Sequence, residues 1–171
     1  DASSGKAQQV FAGELNDTLS SGFTWMPGGQ GLLVSTVPEG MGDAPQRPRK
    51  PVGPAVSDTT GATATNRTYQ DLLSNPFDEA LFEHLTTVQL VRVDLGSGAA
   101  KSMGAPVPLL SAEPSPNGRY VLVNRIRRPF SYAVPYYRFP RVTEVWDAEA
   151  NVVRTVADQD LAEEIPIGGV R

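Results

Sequence analysis

One short stretch of the chain crowds arginines and aromatic rings together, although the chain as a whole has a formal net charge of -4. A guanidinium presents a fork of N–H donors that matches a carboxylate, while aromatic rings stack on a peptide or stiffen the loop that carries them. The stretch therefore indicates contact with an acidic or peptide ligand. Its members are Arg125, Arg127, Arg128, Phe130, Tyr132, Tyr136, Tyr137, Arg138, Phe139 and Arg141.

We take five of these as candidate substrate-binding residues: Arg127, Arg128, Arg138, Tyr132 and Tyr137. The alternative is structural, and it is the more common role for such side chains. In that case the aliphatic parts of the arginine side chains lie across strand edges, and the aromatic rings pack the arginine-rich stretch against its neighbours or against another domain. The sequence leaves both interpretations open.

The chain lacks the residues for catalysis by a serine nucleophile. That mechanism needs a histidine near the serine, which commonly stands in a G-x-S-x-G turn, and the chain has no such pentapeptide. The sole histidine, His84, lies on a predicted helix and reads as structural. Without cysteine, a metal site would need a carboxylate cluster that the sequence does not present. We predict no catalytic residue, no metal site and no cofactor.

The elements that must position the arginine-rich stretch form internal repeats. The segments "DASSGKAQQV" (1–10), "DLGSGAAKSM" (94–103) and "DAEANVVRTV" (147–156) each carry an Asp followed four residues later by Gly5, Gly98 or Asn151. Gly and Asn accept positive φ most readily, and the Asp side chain can bond the N–H groups ahead of it. Each segment is therefore predicted to form a hairpin turn.

A second repeat lies upstream of each complete hairpin. "WMPGGQGLLV" matches "PSPNGRYVLV" when Pro27 is set on Pro116, which pairs Leu33 with Leu122. Each reads as strand, turn and strand. Together the repeats predict two antiparallel four-stranded units, one with strands at 23–25, 31–37, 87–95 and 100–105, the other at 109–112, 119–125, 141–147 and 152–156.

Four-stranded units in tandem are typical of β-propeller blades. The predicted fold class is all-β, a partial β-propeller of about two blades plus an extra strand, with a short helix in an inter-strand insertion. We expect an outer strand of a preceding blade at 1–12, a blade at 20–106, a blade at 108–158 and a linker toward the next blade at 159–171. The hairpin begun at Asp1 lacks its first strand, so we expect the chain to be a piece of a longer protein.

Both predicted blades carry an insertion between their second and third strands, at 38–86 and 127–140, and matching insertions fall on one face of a propeller. The first begins as a long Pro- and Gly-rich loop at 38–65 and ends in a helix capped by Asn75, with Pro76 at its first position. Its apolar face is predicted to comprise Phe77, Leu81 and Leu85, with Phe82 beside them.

The composition limits the partners. The acidic balance gives no reason to expect nucleic acid, and no apolar run approaches membrane-spanning length. The absence of cysteine does not decide the compartment, so the protein is expected to be either exported or periplasmic, or cytoplasmic. The sequons at Asn16 and Asn66 matter only in a host that glycosylates secreted proteins.

Three segments carry a family resemblance: "PSPNGRYVLVNRIRRPFSYAVPYYRFPRVTEVWD", "RTYQDLLSNPFDEALFEHL" and "FTWMPGGQGLLVSTVPEG". They resemble the propeller of the prolyl oligopeptidase family of serine peptidases, most closely its glutamyl endopeptidase branch. The resemblance implies that this propeller caps an α/β-hydrolase domain whose Ser, Asp and His perform acyl transfer. None of that domain lies in the chain.

The resemblance also implies a function. The chain is expected to be a non-catalytic part that limits access to the active site and helps position peptide substrate, with its own hydrolase domain and the peptide as partners. An enzyme that cleaves after glutamate needs a cation for the acidic side chain, and the arginine-rich stretch is one place for it. Some relatives hold a substrate amino terminus with paired glutamates, but the motif around Glu163-Glu164 matches none of these residue by residue, and a solvated linker explains the pair better.

Two further expectations stand beside this. The alternative function is a non-enzymatic propeller, either a scaffold or a periplasmic protein-binding module, because fold alone does not decide function. Isolated blades leave apolar faces open, so the chain by itself is expected to self-associate.

Overall fold

The computed structural model of the protein describes residues 4–48 and 69–165. Asp1, the sequon at Asn66, most of the predicted loop at 38–65 and the end of the predicted linker lie outside the described residues. The strands are β1 (Phe23–Trp25), β2 (Gly31–Thr36), β3 (Thr87–Asp94), β4 (Ala100–Pro114), β5 (Val121–Ile126), β6 (Arg141–Trp146) and β7 (Val152–Gln159), and the helix is α1 (Pro76–Thr86).

The seven strands are antiparallel and lie in sequence order from β1 to β7. The all-β class with one helix is as predicted, and it is consistent with part of a propeller. One boundary differs from the prediction, because the two strands expected at 100–105 and 109–112 form the single strand β4. Its first half, up to Pro108, pairs with β3, and its second half, from Leu109, pairs with β5.

We call β1, β2, β3 and the first half of β4 the first sheet, and the second half of β4 with β5, β6 and β7 the second sheet. The two sheets repeat each other in register. Leu33 pairs with Arg92 in the first sheet, and Leu122, its equivalent in the repeat, pairs with Val145 in the second. The sequence repeat is therefore a structural repeat.

The main core lies between the two sheets. A Cβ added at Gly104 would lie 2.8 Å from the Trp146 ring, so only glycine lets this part of β4 pack onto the second sheet. The buried members of this core, which we call the inter-sheet core, are Met26, Leu33, Val88, Leu90, Met103, Leu109, Val121, Val123 and Trp146.

The Asp residues close the hairpin turns as predicted. Asp94 Oδ1 accepts from the Ser97 N–H at 2.7 Å, and Asp147 Oδ1 accepts from the Asn151 N–H at 2.8 Å. The bond from the Ser97 N–H lowers the pKa of the Asp94 carboxyl, and the bonds from the side-chain amide and the N–H of Asn151 lower the pKa of the Asp147 carboxyl. The spacing of Asp in the repeat thus predicted a real hydrogen-bonded turn.

The positive φ in the third repeat segment was assigned to the wrong residue. Gly5 and Gly98 have positive φ as predicted, at 64° and 72°, but the third segment places it at Ala150, at 64°, rather than at Asn151. The reason is a shorter turn: the Asp147 N–H donates to the carbonyl of Asn151, four residues ahead, whereas the Asp94 N–H reaches five residues ahead. Asn151 instead donates its side-chain amide to Asp147.

The helix begins and ends as its sequence indicates. Asn75 Oδ1 accepts from the Asp78 N–H at 3.1 Å, which is the predicted cap. The helix runs directly into β3, and Thr87 Oγ1 donates back to the Glu83 carbonyl at 2.6 Å. Its buried face differs in part from the prediction, because Leu85 is 45% exposed while Phe82 packs against the second insertion.

The described part of the expected outer strand, residues 4–12, forms no strand. A strand needs a neighbour to pair with, and the described residues offer none at this position. Instead Phe11 packs against Val34, Val91 and Val93 on the face of the first sheet that points away from the second.

Asn16 joins this N-terminal segment to the end of the helix. Only 8% of the residue is exposed. Its side-chain amide donates to the carbonyl of Leu85 at 3.0 Å and to that of Thr87 at 3.3 Å, while its Oδ1 accepts from the Thr18 N–H. The first sequon is therefore a packed structural element.

Candidate functional site

The second insertion, 127–140, folds onto the helix of the first insertion. Phe130 and Phe139 are buried and stacked, with ring centroids 5.3 Å apart. Phe82 of α1 meets both rings edge-on, at 5.2 and 5.6 Å. The two insertions therefore lie on one side of the molecule, as predicted, and share an aromatic core.

Arg128 links the second insertion to α1. Its Nη1 donates to Glu79 and its Nη2 to Glu83, both at 2.8 Å, and its guanidinium lies 4.7 Å from the centroid of the Phe130 ring. These two carboxylates raise the pKa of the guanidinium further above its usual value. Arg128 is thus already bound to two carboxylates of its own chain.

Tyr132 shares one of those carboxylates. Its hydroxyl hydrogen-bonds Glu79, which lowers the pKa of Glu79 and raises that of Tyr132 itself. The residue is still 44% exposed, so its ring remains accessible.

Arg127 binds two carboxylates at the end of β7. Its Nη2 donates to Asp158 at 2.7 Å and to Asp160 at 2.8 Å, and its Nε also reaches Asp158. Both pairs raise the pKa of the guanidinium, that with Asp158 more strongly. The pairing ties the insertion to the end of the second sheet.

Arg138 is buried, with 8% of its surface exposed. Its Nη1 donates to the carbonyl of Ile165 at 2.6 Å and to that of Ala162 at 3.4 Å, and the guanidinium lies 5.9 Å from the centroid of the Tyr69 ring. It holds the segment that follows β7.

Three tyrosines are exposed on the second insertion, beside the exposed Arg128, Pro129 and Ala133. Tyr132, Tyr136 and Tyr137 are 44%, 41% and 50% exposed, and the rings of Tyr136 and Tyr137 meet edge-on at 5.9 Å. Such a surface is suited to stacking on a peptide. The contacts of the three arginines favour the structural alternative for them, and their role toward substrate stays a prediction.

Sequence reasoning missed Ser131, which is 4% exposed and donates to Glu163 Oε1 at 2.5 Å. This bond gives the first member of the glutamate pair a contact within the second insertion. No local signal reveals it, because the partners lie 32 residues apart.

His84 lies apart from the insertion. It lines a shallow hollow of about 190 Å³ with Asp17, Thr18 and Leu85 among its neighbours. The structural role expected for this histidine stays a prediction.

A wider open hollow lies at the opposite end of the sheets, beside the turns before β5 and after β6. It measures about 510 Å³ and is lined by side chains of both charges, including Arg92, Arg119, Asp147 and Glu149. Arg92 donates to the carbonyl of Gly118 at 3.5 Å, and Asp147 is engaged in its own turn. Two of the charged side chains at this hollow, Arg92 and Asp147, therefore already hold turns.

Within residues 4–48 and 69–165, no group of three or more metal-ligating side chains comes together. In the same part of the chain, no helix has both the length and the apolar character needed to cross a membrane.

Two plant proteins are similar to this chain over nearly its whole length. Proteins named "Probable glutamyl endopeptidase, chloroplastic" from Oryza sativa subsp. japonica and from Arabidopsis thaliana are each 39% identical to it over 171 residues, which is 98% of the chain. No protein-family model matches the chain. No solved structure is significantly similar to it. The chain spans 18% of the length of the two plant proteins, so it is similar to one part of each.

Proposed function

We propose that the chain is the non-catalytic propeller part of a serine peptidase of the glutamyl endopeptidase type, within the prolyl oligopeptidase family. In the intact protein it limits the access of folded proteins to a hydrolase domain and helps to position the peptide, since exclusion of water and orientation of substrate are what a cap contributes. Its partners are that hydrolase domain and the peptide substrate.

The observation that carries the proposal is the 39% identity to one part of the two plant proteins. Two features of the chain agree with it. The sequence has no G-x-S-x-G pentapeptide, and its sole histidine lies in the last turn of α1. The sheets also repeat in register, as the blades of a propeller do.

The insertions are the surface that we assign to the peptide. They lie on one side of the molecule, and the second presents exposed rings of Tyr132, Tyr136 and Tyr137 above a core fixed by Arg128. Tyrosine rings supply contact area with little loss of conformational entropy. In this proposal the tyrosines touch the peptide, and the arginines keep the surface rigid.

A fluorophosphonate probe, which reacts with catalytic serines, tests whether the catalytic serine lies outside this chain. We expect the full-length protein to react with the probe and to cleave peptides that contain glutamate, and the 171-residue chain to do neither. The control is the full-length protein with the serine of its G-x-S-x-G turn changed to alanine. Labelling of the 171-residue chain would contradict the proposal. A full-length protein that takes no probe would favour the non-enzymatic scaffold instead.

A further inference from the structure

The two arginines at the surface of the second insertion are each bound by two carboxylates of the same chain, at 2.7 to 2.8 Å. Arg128 pairs with Glu79 and Glu83, and Arg127 pairs with Asp158 and Asp160. Several of these carboxylates also meet the solvent, since the side chains of Glu83, Asp158 and Asp160 are 40%, 56% and 94% exposed. Around these two arginines the surface is therefore acidic, although the sequence there is rich in arginine.

Tyr132 lies within reach of this negative charge. Its ring is exposed, and its hydroxyl hydrogen-bonds Glu79. That bond raises the pKa of Tyr132, and the charges of Glu79 and Asp78 raise it further, whereas the charge of Arg128 has a smaller effect in the opposite direction. At Tyr132 the carboxylates therefore outweigh the guanidinium.

These charges disfavour a substrate glutamate at this surface. To bind Arg127 or Arg128, its carboxylate would have to displace one of the chain's own carboxylates, and it would then lie beside the other, where like charges repel. A lysine or arginine side chain of the peptide meets the opposite situation. The exposed carboxylates attract it, and the face of a tyrosine ring binds a cation.

We propose that the exposed ring of Tyr132, with Glu79 and Glu83 of α1 beside it, binds a lysine or arginine side chain of the peptide and not its glutamate. This inference rests on the proposed function, because it takes the peptide substrate as the occupant of the surface. The cation lies over the ring and is attracted by the carboxylates. The glutamate is then recognised elsewhere in the intact protein.

Binding of three peptides to the full-length protein tests the charge preference. The protein carries the serine-to-alanine change described above, so that the peptides stay intact. Each fluorescein-labelled peptide has about twenty residues, or about 70 Å when extended, and one central glutamate, and its other polar positions are all lysine, all glutamine or all glutamate. In fluorescence anisotropy at low salt, the lysine peptide should bind at least about fivefold more tightly than the glutamine peptide, and the glutamate peptide should bind most weakly. Raising the salt concentration should reduce these differences.

Two substitutions in the same protein locate the preference. Glu83→Gln removes an exposed carboxylate, and Tyr132→Leu removes the ring while it keeps an apolar side chain. Each should lower the affinity for the lysine peptide by about threefold, and more than it lowers that for the glutamine peptide. The matched controls are Glu149→Gln and Tyr120→Leu, because both residues line the hollow at the opposite end of the sheets. They should bind all three peptides as the parent protein does, and circular dichroism and thermal melting establish that each variant is folded.

The peptide series is decisive even without the variants. Equal binding of the lysine and glutamate peptides would overturn the inference, and so would binding of none of the three. Tightest binding of the glutamate peptide, lost in Arg128→Ala, would assign the arginine to the substrate glutamate instead. A lysine preference that both substitutions leave intact would place the basic site away from Tyr132 and overturn the inference too. The fluorophosphonate test decides the proposed function separately from these affinities.

Discussion

Glu144 is a buried carboxylate at the inner face of the second sheet, which is the face that contributes to the apolar inter-sheet core. Only 6% of the residue is exposed, and its carboxylate accepts from Arg125 Nε at 3.1 Å, from Arg125 Nη2 at 3.0 Å and from Trp146 Nε1 at 3.0 Å. The Arg125 bonds lower the pKa of Glu144 below its usual value, against the opposing effect of burial. The equivalent residue of the first sheet, by register, is Val91.

The substitution Glu144→Gln should destabilise the chain by about 2 kcal/mol near neutral pH, because it leaves the partly buried Arg125 without its counter-ion. The folded pKa of Glu144 is lowered, so the stabilisation is present above the unfolded pKa and is lost as the pH falls through the folded pKa. The difference in urea unfolding free energy between variant and wild type should therefore be large at about pH 7 and small at about pH 3. Glu149→Gln, at an exposed turn residue, is the control. An equal difference at both pH values would show that the charge is not responsible.

At the residue scale, the sequence predicted interactions whose partners are close along the chain. Asp94, Asp147 and Asn75 make the turn and cap bonds that their spacing indicates. The partners of Arg127 and Arg128 lie 31 to 49 residues away in sequence, and nothing local marks them. The sequence therefore identified the arginine-rich stretch, but it did not identify the carboxylates that pair with Arg127 and Arg128.

At the scale of elements, the helix and the second insertion form one unit. The insertion has few backbone hydrogen bonds of its own, among them that from the Arg127 N–H to the Pro140 carbonyl. Its position depends on the shared aromatic core and on the contacts of Arg128 with Glu79 and Glu83. Loosening these contacts should free both parts together.

The substitution Arg128→Ala should lower global stability only slightly, by about 1 kcal/mol or less, since the side chain is 49% exposed. Its main effect should be local, because it removes both ion pairs and leaves Glu79 and Glu83 one helical turn apart without a cation. Amide hydrogen exchange should become several-fold faster in 127–140 and in α1, with β2 and β3 unchanged. Arg119→Ala, in the turn before β5, is the control. Unchanged exchange in the insertion would show that the aromatic core alone holds it.

Most strands could be predicted because apolar alternation and turn residues mark them. Two elements could not be predicted from these signals. The sequence shows two strands where β4 is continuous, because prolines at 106 and 108 read as an interruption although both halves stay extended and pair with different neighbours. Residues 4–12 carry a strand-like pattern, but the described residues offer no partner at that position, and Phe11 packs as a cover instead.

At the scale of the whole molecule, the inter-sheet core makes the two sheets interdependent. Its members come from both sheets, with Leu33 and Leu90 on one side and Val123 and Trp146 on the other. Neither sheet buries its inner face without the other. We therefore expect one cooperative unfolding transition.

The substitution Val123→Ala tests this interdependence. Val123 is fully buried, so the loss should be about 2 kcal/mol from lost burial and an unfilled cavity. In a Trp25→Phe background, the fluorescence of Trp146 and the far-ultraviolet circular dichroism should report the same lowered melting temperature. Val156→Ala, at a side chain that is 57% exposed, should leave it unchanged. Two separate transitions would mean that the sheets unfold independently.

The burial of Asn16 has a consequence for producing the protein. An N-linked sugar would replace one hydrogen of the amide that donates to Leu85 and Thr87, and it would need open space around a residue that is 8% exposed. In a eukaryotic secretory host, a glycan attached to Asn16 of the nascent chain would prevent the N-terminal segment from bonding to the helix. A bacterial cytoplasm avoids this conflict, because no oligosaccharide is transferred there.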